Sequence, residues 1–200
     1  MKKLFWKLII LLAAIGIANV YQTEKTLQTL ENGIIRLHIT ANSDSLADQT
    51  QKLMIRDAVL AQADFWDTAD DCCKALEREL PKIERIAEET LAKTGSSASV
   101  KAELTKEEFP ARQYGTVTLP AGTYRALRIT VGEGIGQNWW CVMYPGLCLP
   151  AASEQKVIAE RFDEDAVSLT TAPEQYEIRL KFVDLLRALW KHIKPIFGNS

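Results

Sequence analysis

From Ile34 onward the polar and apolar positions alternate. Ile35, Leu37 and Ile39 fall on one side of an extended run and Arg36, His38 and Thr40 on the other, the period-2 signature of a strand. Asn42-Ser43-Asp44-Ser45 is turn chemistry. Ser45 followed by Asp48 resembles a capping box, and Met54, Ala58, Ala61 and Phe65 recur at helical spacing, so the pattern predicts a helix reaching about Trp66. Thr68 with Asp71 caps a second predicted helix over 69–80. Pro81 suits the first turn of a third, whose apolar positions are Ile83, Ile86, Ala87 and Leu91, with Gly95 just beyond its end. Ala98, Val100, Ala102 and Leu104 then alternate as a half-buried strand. The runs 114–119 and 124–131 read as a hairpin turning at Pro120-Ala121-Gly122, with Leu127, Ile129 and Val131 sharing a face.

Three other stretches are less regular. Residues 19–32 are polar with scattered apolar positions and end in Asn32-Gly33, which reads as a tether and a turn. Residues 151–174 are acidic and weakly patterned, a loop or linker. Near the end, Tyr176, Ile178, Leu180 and Phe182 alternate like a strand, whereas Ile178, Phe182, Leu185, Leu189 and Ile193 fit a helix. The favoured reading is a short strand passing into a helix over 183–193, so that 175–200 completes the domain. Helices followed by strands indicate an α+β fold, with helices packed on one face of a mixed or antiparallel sheet. One domain is expected, its core spanning 33–148.

The first residues change the expected address. Lys2, Lys3 and Lys7 precede the uncharged stretch Leu8 to Ala18, and Gly16-Ile17-Ala18 offers a small-x-small cleavage site, the layout of an export signal over residues 1–18. The stretch is short against the roughly 20 residues that span a bilayer. With the apolar flanks an anchor over 4–20 is the alternative to a cleaved signal. A chain of 200 residues with 47% hydrophobic content has enough material for one globular core. Its net charge of −2, without a basic stripe, gives no electrostatic case for nucleic acid.

Export reframes the four cysteines, since oxidised pairs are then favoured over metal. Cys141 and Cys148 flank Pro145-Gly146, so a disulfide across that turn is expected, while adjacent Cys72 and Cys73 cannot bridge without strain and read as core residues. With only His38 and His192 to help, the spacing matches no zinc site, and no metal is expected. A cysteine hydrolase would need Cys141 activated by His38, with Asp44 orienting the ring. The run Gly132-Glu133-Gly134-Ile135-Gly136 lacks the spacing of a dinucleotide loop, so no cofactor is expected. Trp139 and Trp140 are adjacent on an extended segment and point to opposite faces, leaving one for the core and one for a partner.

Several of these stretches together resemble the stage II sporulation protein R family of endospore-forming bacteria. They are Ile35-Arg36-Leu37-His38-Ile39-Thr40-Ala41-Asn42-Ser43-Asp44-Ser45, Lys52 to Val59, Phe109 to Gly115, Leu119 to Leu127 and Gly134-x-Gly136-x-Asn138-Trp139-Trp140-Cys141. The similarity runs in register over about 34–148, and more loosely over 178–182. It departs from the family pattern at Pro145-Gly146, where a double proline is usual, and over 151–174. What the resemblance implies is a signalling protein rather than an enzyme. Such proteins are exported from the forespore into the space between two membranes, where they trigger a membrane-embedded aspartic protease that matures the pro-form of sigma-E. The partner surface expected on this chain is Asn42, Ser43, Asp44, Asn138, Trp139 and Trp140. The alternatives are an exported cysteine hydrolase and a cell-envelope-binding module.

Overall fold

The computed structural model describes residues 2–61, 68–146 and 154–197. Helix α1 (Lys2–Gly33) leads into strand β1 (Ile35–Thr40), then helices α2 (Leu46–Leu60) and α3 (Ala69–Ala92). Strands β2 (Val100–Phe109), β3 (Arg112–Tyr114), β4 (Val117–Leu119), β5 (Gly122–Val131) and β6 (Asn138–Tyr144) follow. Helices α4 (Glu154–Arg161), α5 (Glu164–Thr171) and α6 (Glu177–Phe197) close the chain, with a 3₁₀ turn over Pro173–Tyr176 between the last two.

The main sheet has the order β2-β5-β1-β6. Strand β1 runs parallel to β5, while β6 and β2 are antiparallel to their neighbours. An α+β fold on a mixed sheet is therefore what the chain adopts. Its helices divide between the two faces instead of lying on one. Against the first face, α2 and α3 pack Ile55, Val59, Cys72, Leu76, Ile83, Ala87 and Leu91 onto Ile35, Leu37, Ile39, Leu127, Ile129 and Val131. Against the second, α1, α4, α5 and α6 bring Leu27, Leu30, Ile158, Ala166, Leu169 and Val183 to Tyr124, Ala126, Val142 and Phe109.

Most departures from expectation belong to that second layer. Residues 19–32 belong to the C-terminal half of α1, not to a tether. Thr23, Thr26, Leu27 and Leu30 are buried on one side of it, and the two threonine hydroxyls bond the carbonyls of Asn19 and Gln22, so nothing polar is stranded. The stretch 151–174 carries α4 and α5 rather than a linker among its described residues. Asp163 caps α5 by accepting the Ala166 amide, and Ile158, Ala166 and Leu169 are buried. No strand forms over 176–182, because the helical spacing of Ile178, Phe182 and Leu185 prevails and α6 is continuous.

The first layer shows smaller corrections. Ser45 and Thr68 cap α2 and α3 as expected, each accepting an amide three residues on, at 3.1 Å. The buried stripe of α2 is Lys52, Ile55 and Val59, one residue out of phase with the Met54–Ala58 face; Phe65 and Trp66 lie outside the described residues. Helix α3 continues through Pro81. The lost hydrogen bond and ring clash cost ~3 kcal/mol, but Cys72, Leu76, Ile83, Ala87 and Leu91 stay in phase on both sides of the proline, and their burial outweighs it. The expected hairpin exists between different partners. Strand β4 pairs with β3 around Gly115, whose φ of 52° suits glycine, while β5 takes β2 along its full length.

Candidate functional site

Where β1 and β6 emerge side by side, two loops meet and brace each other. One joins β1 to α2 and contains Asn42, Ser43 and Asp44; the other joins β5 to β6 and contains the glycine run. The amides of Ile135 and Gly136 donate to the carbonyls of Asn42 and Ala41, at 3.4 and 3.0 Å. Asn42 Oδ1 accepts the Glu133 amide at 3.0 Å, and Asp44 Oδ1 accepts the Gln137 amide at 2.7 Å. Lys52, almost fully buried, reaches up from α2 and donates to the Gln137 carbonyl at 2.9 Å. Burial draws the pKa of this ammonium down, with Asp44 opposing.

Polar groups thus take the place of apolar packing under the second loop. Asp48 gathers Ser43 Oγ at 2.5 Å and Asn42 Nδ2 at 3.0 Å, and these two hydrogen bonds hold its carboxyl below the ordinary range. Two glycines have structural causes here. Gly132 has a φ of 54° and lies against the Asn42 side chain, and Gly136 lies against the Ser43 carbonyl, where a Cβ has no room. On the outside of this frame Ile135 is 77% exposed.

Next to the frame, on the second face of the sheet, lies a polar cluster. His38 Nδ1 faces Glu107 Oε2 at 2.7 Å, and its Nε2 faces Asn138 Oδ1 at 2.9 Å. Thr40 Oγ1 donates to the same Asn138 oxygen at 2.9 Å, and Arg128 stands 3.5 Å from Glu107. The His38 ring packs edge-on against Phe109 and Trp140. This ties β1, β2 and β6 together and leaves both ring nitrogens engaged.

That geometry removes the Cys141–His38 pairing of the hydrolase reading. Cys141 is paired with Leu37 in the β1–β6 register and packs into the first layer, whereas His38 is paired with Trp140 and faces the second. A sheet lies between them. Asp44 does not orient the imidazole either; Glu107 does. Cys148 lies outside the described residues, and with it the expected disulfide. Cys72 and Cys73 are free thiols, and burial pushes the Cys72 pKa up to about 12. Among the described residues no group of three His, Cys, Asp or Glu side chains converges to hold a metal.

The structure brings together all six residues expected to form the partner surface, but in different roles. Asn42 and Ser43, half-buried, and Asp44, exposed, act as pins between the two loops. Asn138 is exposed yet holds His38 and Thr40. The tryptophans do point to opposite faces, and both are half-buried: Trp139 packs on the first layer under the Arg56 guanidinium, 4.5 Å from its ring centre, and Trp140 packs on the second against Phe109. Each keeps part of its indole exposed. Lys52, Glu107 and Ile135 were not foreseen. Lys52 was detectable, since it continues the Ile55–Val59 stripe by one turn.

Deeper on the same face, Arg36 is fully buried without a carboxylate partner among the described residues. Its Nε donates to the Cys141 carbonyl at 3.2 Å and a terminal nitrogen to Tyr114 Oη at 2.8 Å. Phe109, Tyr124 and Tyr114 surround the guanidinium, with ring centres 4.5, 5.3 and 5.5 Å away. Burial draws its pKa down. Three desolvated cation–π contacts at roughly 2 kcal/mol each are the right size to offset the several kcal/mol lost in dehydrating the charge.

The family model of stage II sporulation protein R matches residues 31–154, which contain both braced loops, the sheet and the Arg36 cage. A stage II sporulation protein R from Bacillus subtilis (strain 168) is 38% identical over 165 residues, covering 77% of this chain and 72% of the relative. No solved structure matches the chain. The chain belongs to the stage II sporulation protein R family.

Proposed function

We propose that this protein is an exported signal of endospore formation, released from the forespore into the intermembrane space, where it activates a membrane-embedded aspartic protease and so leads to maturation of pro-sigma-E. The docking surface in this reading is the outside of the braced loops, from Glu133 through Ile135 to Asn138. One observation carries it: a frame of buried or bonded polar groups holds an exposed isoleucine outward. Burying Lys52 and half-burying Asn42 beneath a loop is costly in desolvation. A rigid loop with an apolar tip is what a protein partner can seat in a pocket at little further entropic cost. Export is supported by α1, a helix long and apolar enough to cross a membrane near the N-terminus, as a signal sequence or an anchor is.

The test replaces Ile135 with Asp and, separately, Glu133 with Lys, and follows pro-sigma-E processing in cells producing the protease. Processing is expected to fall at least about tenfold, the scale of losing one well-seated interface contact, with export and thermal melting unchanged. Normal processing by both variants overturns the docking surface. Processing that persists when the whole chain is deleted overturns the signalling role itself.

A further inference from the structure

One face of α6 carries apolar side chains that nothing described in the chain covers. Ile178 is 84% exposed and Leu185 62%, with Phe182 and Leu186 also exposed between and beside them. Their spacing places them on one stripe. Around the stripe stand Arg179, Lys181 and Arg187 with Glu177 and Asp184, and Lys181 pairs with Glu177 at 2.6 Å.

Position beside α1 limits what can cover this stripe. One groove is lined by Ala13, Gly16 and Ile17 with Ile178, Phe182 and Leu185; the next is lined by Val20, Tyr21 and Glu24 with Val183, Leu186 and Arg187. The two helices therefore run in the same direction, and their polarity changes in step. At the far end Arg187 bonds Glu24 and Glu31 at 2.9 Å each. At the near end α1 is bare hydrocarbon, with Ile17 70% exposed and Leu8, Leu11 and Ile15 exposed above it. A helix apolar on every side and an apolar stripe on its neighbour at the same level are both covered by one thing, lipid.

We propose that the first turns of α6 form a second membrane contact beside α1, with Ile178, Phe182 and Leu185 in the acyl region and Arg179 and Lys181 at anionic phospholipid headgroups. Long cationic side chains suit that level because their stems lie along apolar surface while their heads stay wet. The body is then held at the bilayer at two points rather than one.

The full chain is reconstituted in vesicles of phosphatidylcholine and phosphatidylglycerol containing a phospholipid with a diazirine on its acyl chain, irradiated and mapped by mass spectrometry. Adducts are expected on the peptide carrying Ile178 to Leu185 as well as on α1. The double substitution Phe182→Ser and Leu185→Ser, at exposed positions, is expected to cut the α6 adducts about fivefold relative to α1 while circular dichroism is unchanged. Replacing phosphatidylglycerol by phosphatidylcholine is expected to reduce them less. Adducts on α1 alone, α6 adducts indifferent to the double substitution, or crosslinking of α6 to a second chain in place of lipid overturns the proposal.

Discussion

The two sides of β1 show two ways of filling a core. Ile35, Leu37 and Ile39 lie in a mainly aliphatic layer from α2, α3, β5 and β6, while Arg36, His38 and Thr40 on the other side are also buried but lie among rings, a carboxylate and an amide. The first side is specified by volume. The second is specified by partners, each of which has to be within hydrogen-bond reach or stacked. A volume-specified layer tolerates apolar exchange, whereas a partner-specified one loses more when a single member is removed than when the whole set is replaced.

The largest effect that would test this contrast comes from the aliphatic side. Leu37→Ala is expected to lower unfolding free energy by about 3 kcal/mol in urea titrations, through lost burial and the cavity left behind. On the other side, Arg36→Ala should cost roughly 2–3 kcal/mol because it strands the Cys141 carbonyl and the Tyr114 hydroxyl, while Arg36→Met should recover at least half of that. Equal losses for Met and Ala would mean that the charge, not the packed volume, is what the cage requires. Removing one pin under the braced loops, Asp44→Ala, is expected to cost about 1 kcal/mol and to raise hydrogen exchange at the Gln137 amide before any global change.

A smaller effect concerns the junction between α1 and α6. Burial alone would raise the Glu24 pKa, but hydrogen bonds from Arg187 and Gln28 and the Arg187 charge overcome it, so the net shift is downward from 4.5. A carboxylate depressed in the folded state contributes stability above its unfolded pKa and loses it as pH falls through the folded value. Exchange protection in α6 should therefore weaken below about pH 4, ahead of the aliphatic layer. Smallest of all, native Cys72 should resist iodoacetamide at pH 8, since its thiolate is suppressed by burial, and react once urea unfolds the chain.

Legibility followed the same division. The strand at 35–40, the caps at Ser45 and Thr68 and the phase of Leu127, Ile129 and Val131 were readable because they depend on neighbours in sequence. Residues 19–32 and 151–174 were misread because their apolar positions are sparse and become a face only when α1, α5 and the sheet meet. The pairing of β5 with β2 and β1, in place of β4, was hidden for a similar reason: Pro120-Ala121-Gly122 marks a turn but not which strands it serves. For the candidate site, the sequence identified the two loops and the opposed tryptophans. It did not identify Ile135 as the outward group or Glu107 as the partner of His38, 69 residues away.

By itself, then, the sequence determined the α+β class, the apolar N-terminal segment, the family and the location of the two loops, all carried by local periodicity, capping chemistry and contiguous motifs. Tertiary structure decided which faces are covered, that Cys141 and His38 lie on opposite sides of a sheet, and that Asn42 and Asp44 bond the neighbouring loop while Ile135 turns out. Those outcomes depend on long-range pairing register, and a shift of one residue in register exchanges every side chain between the two faces.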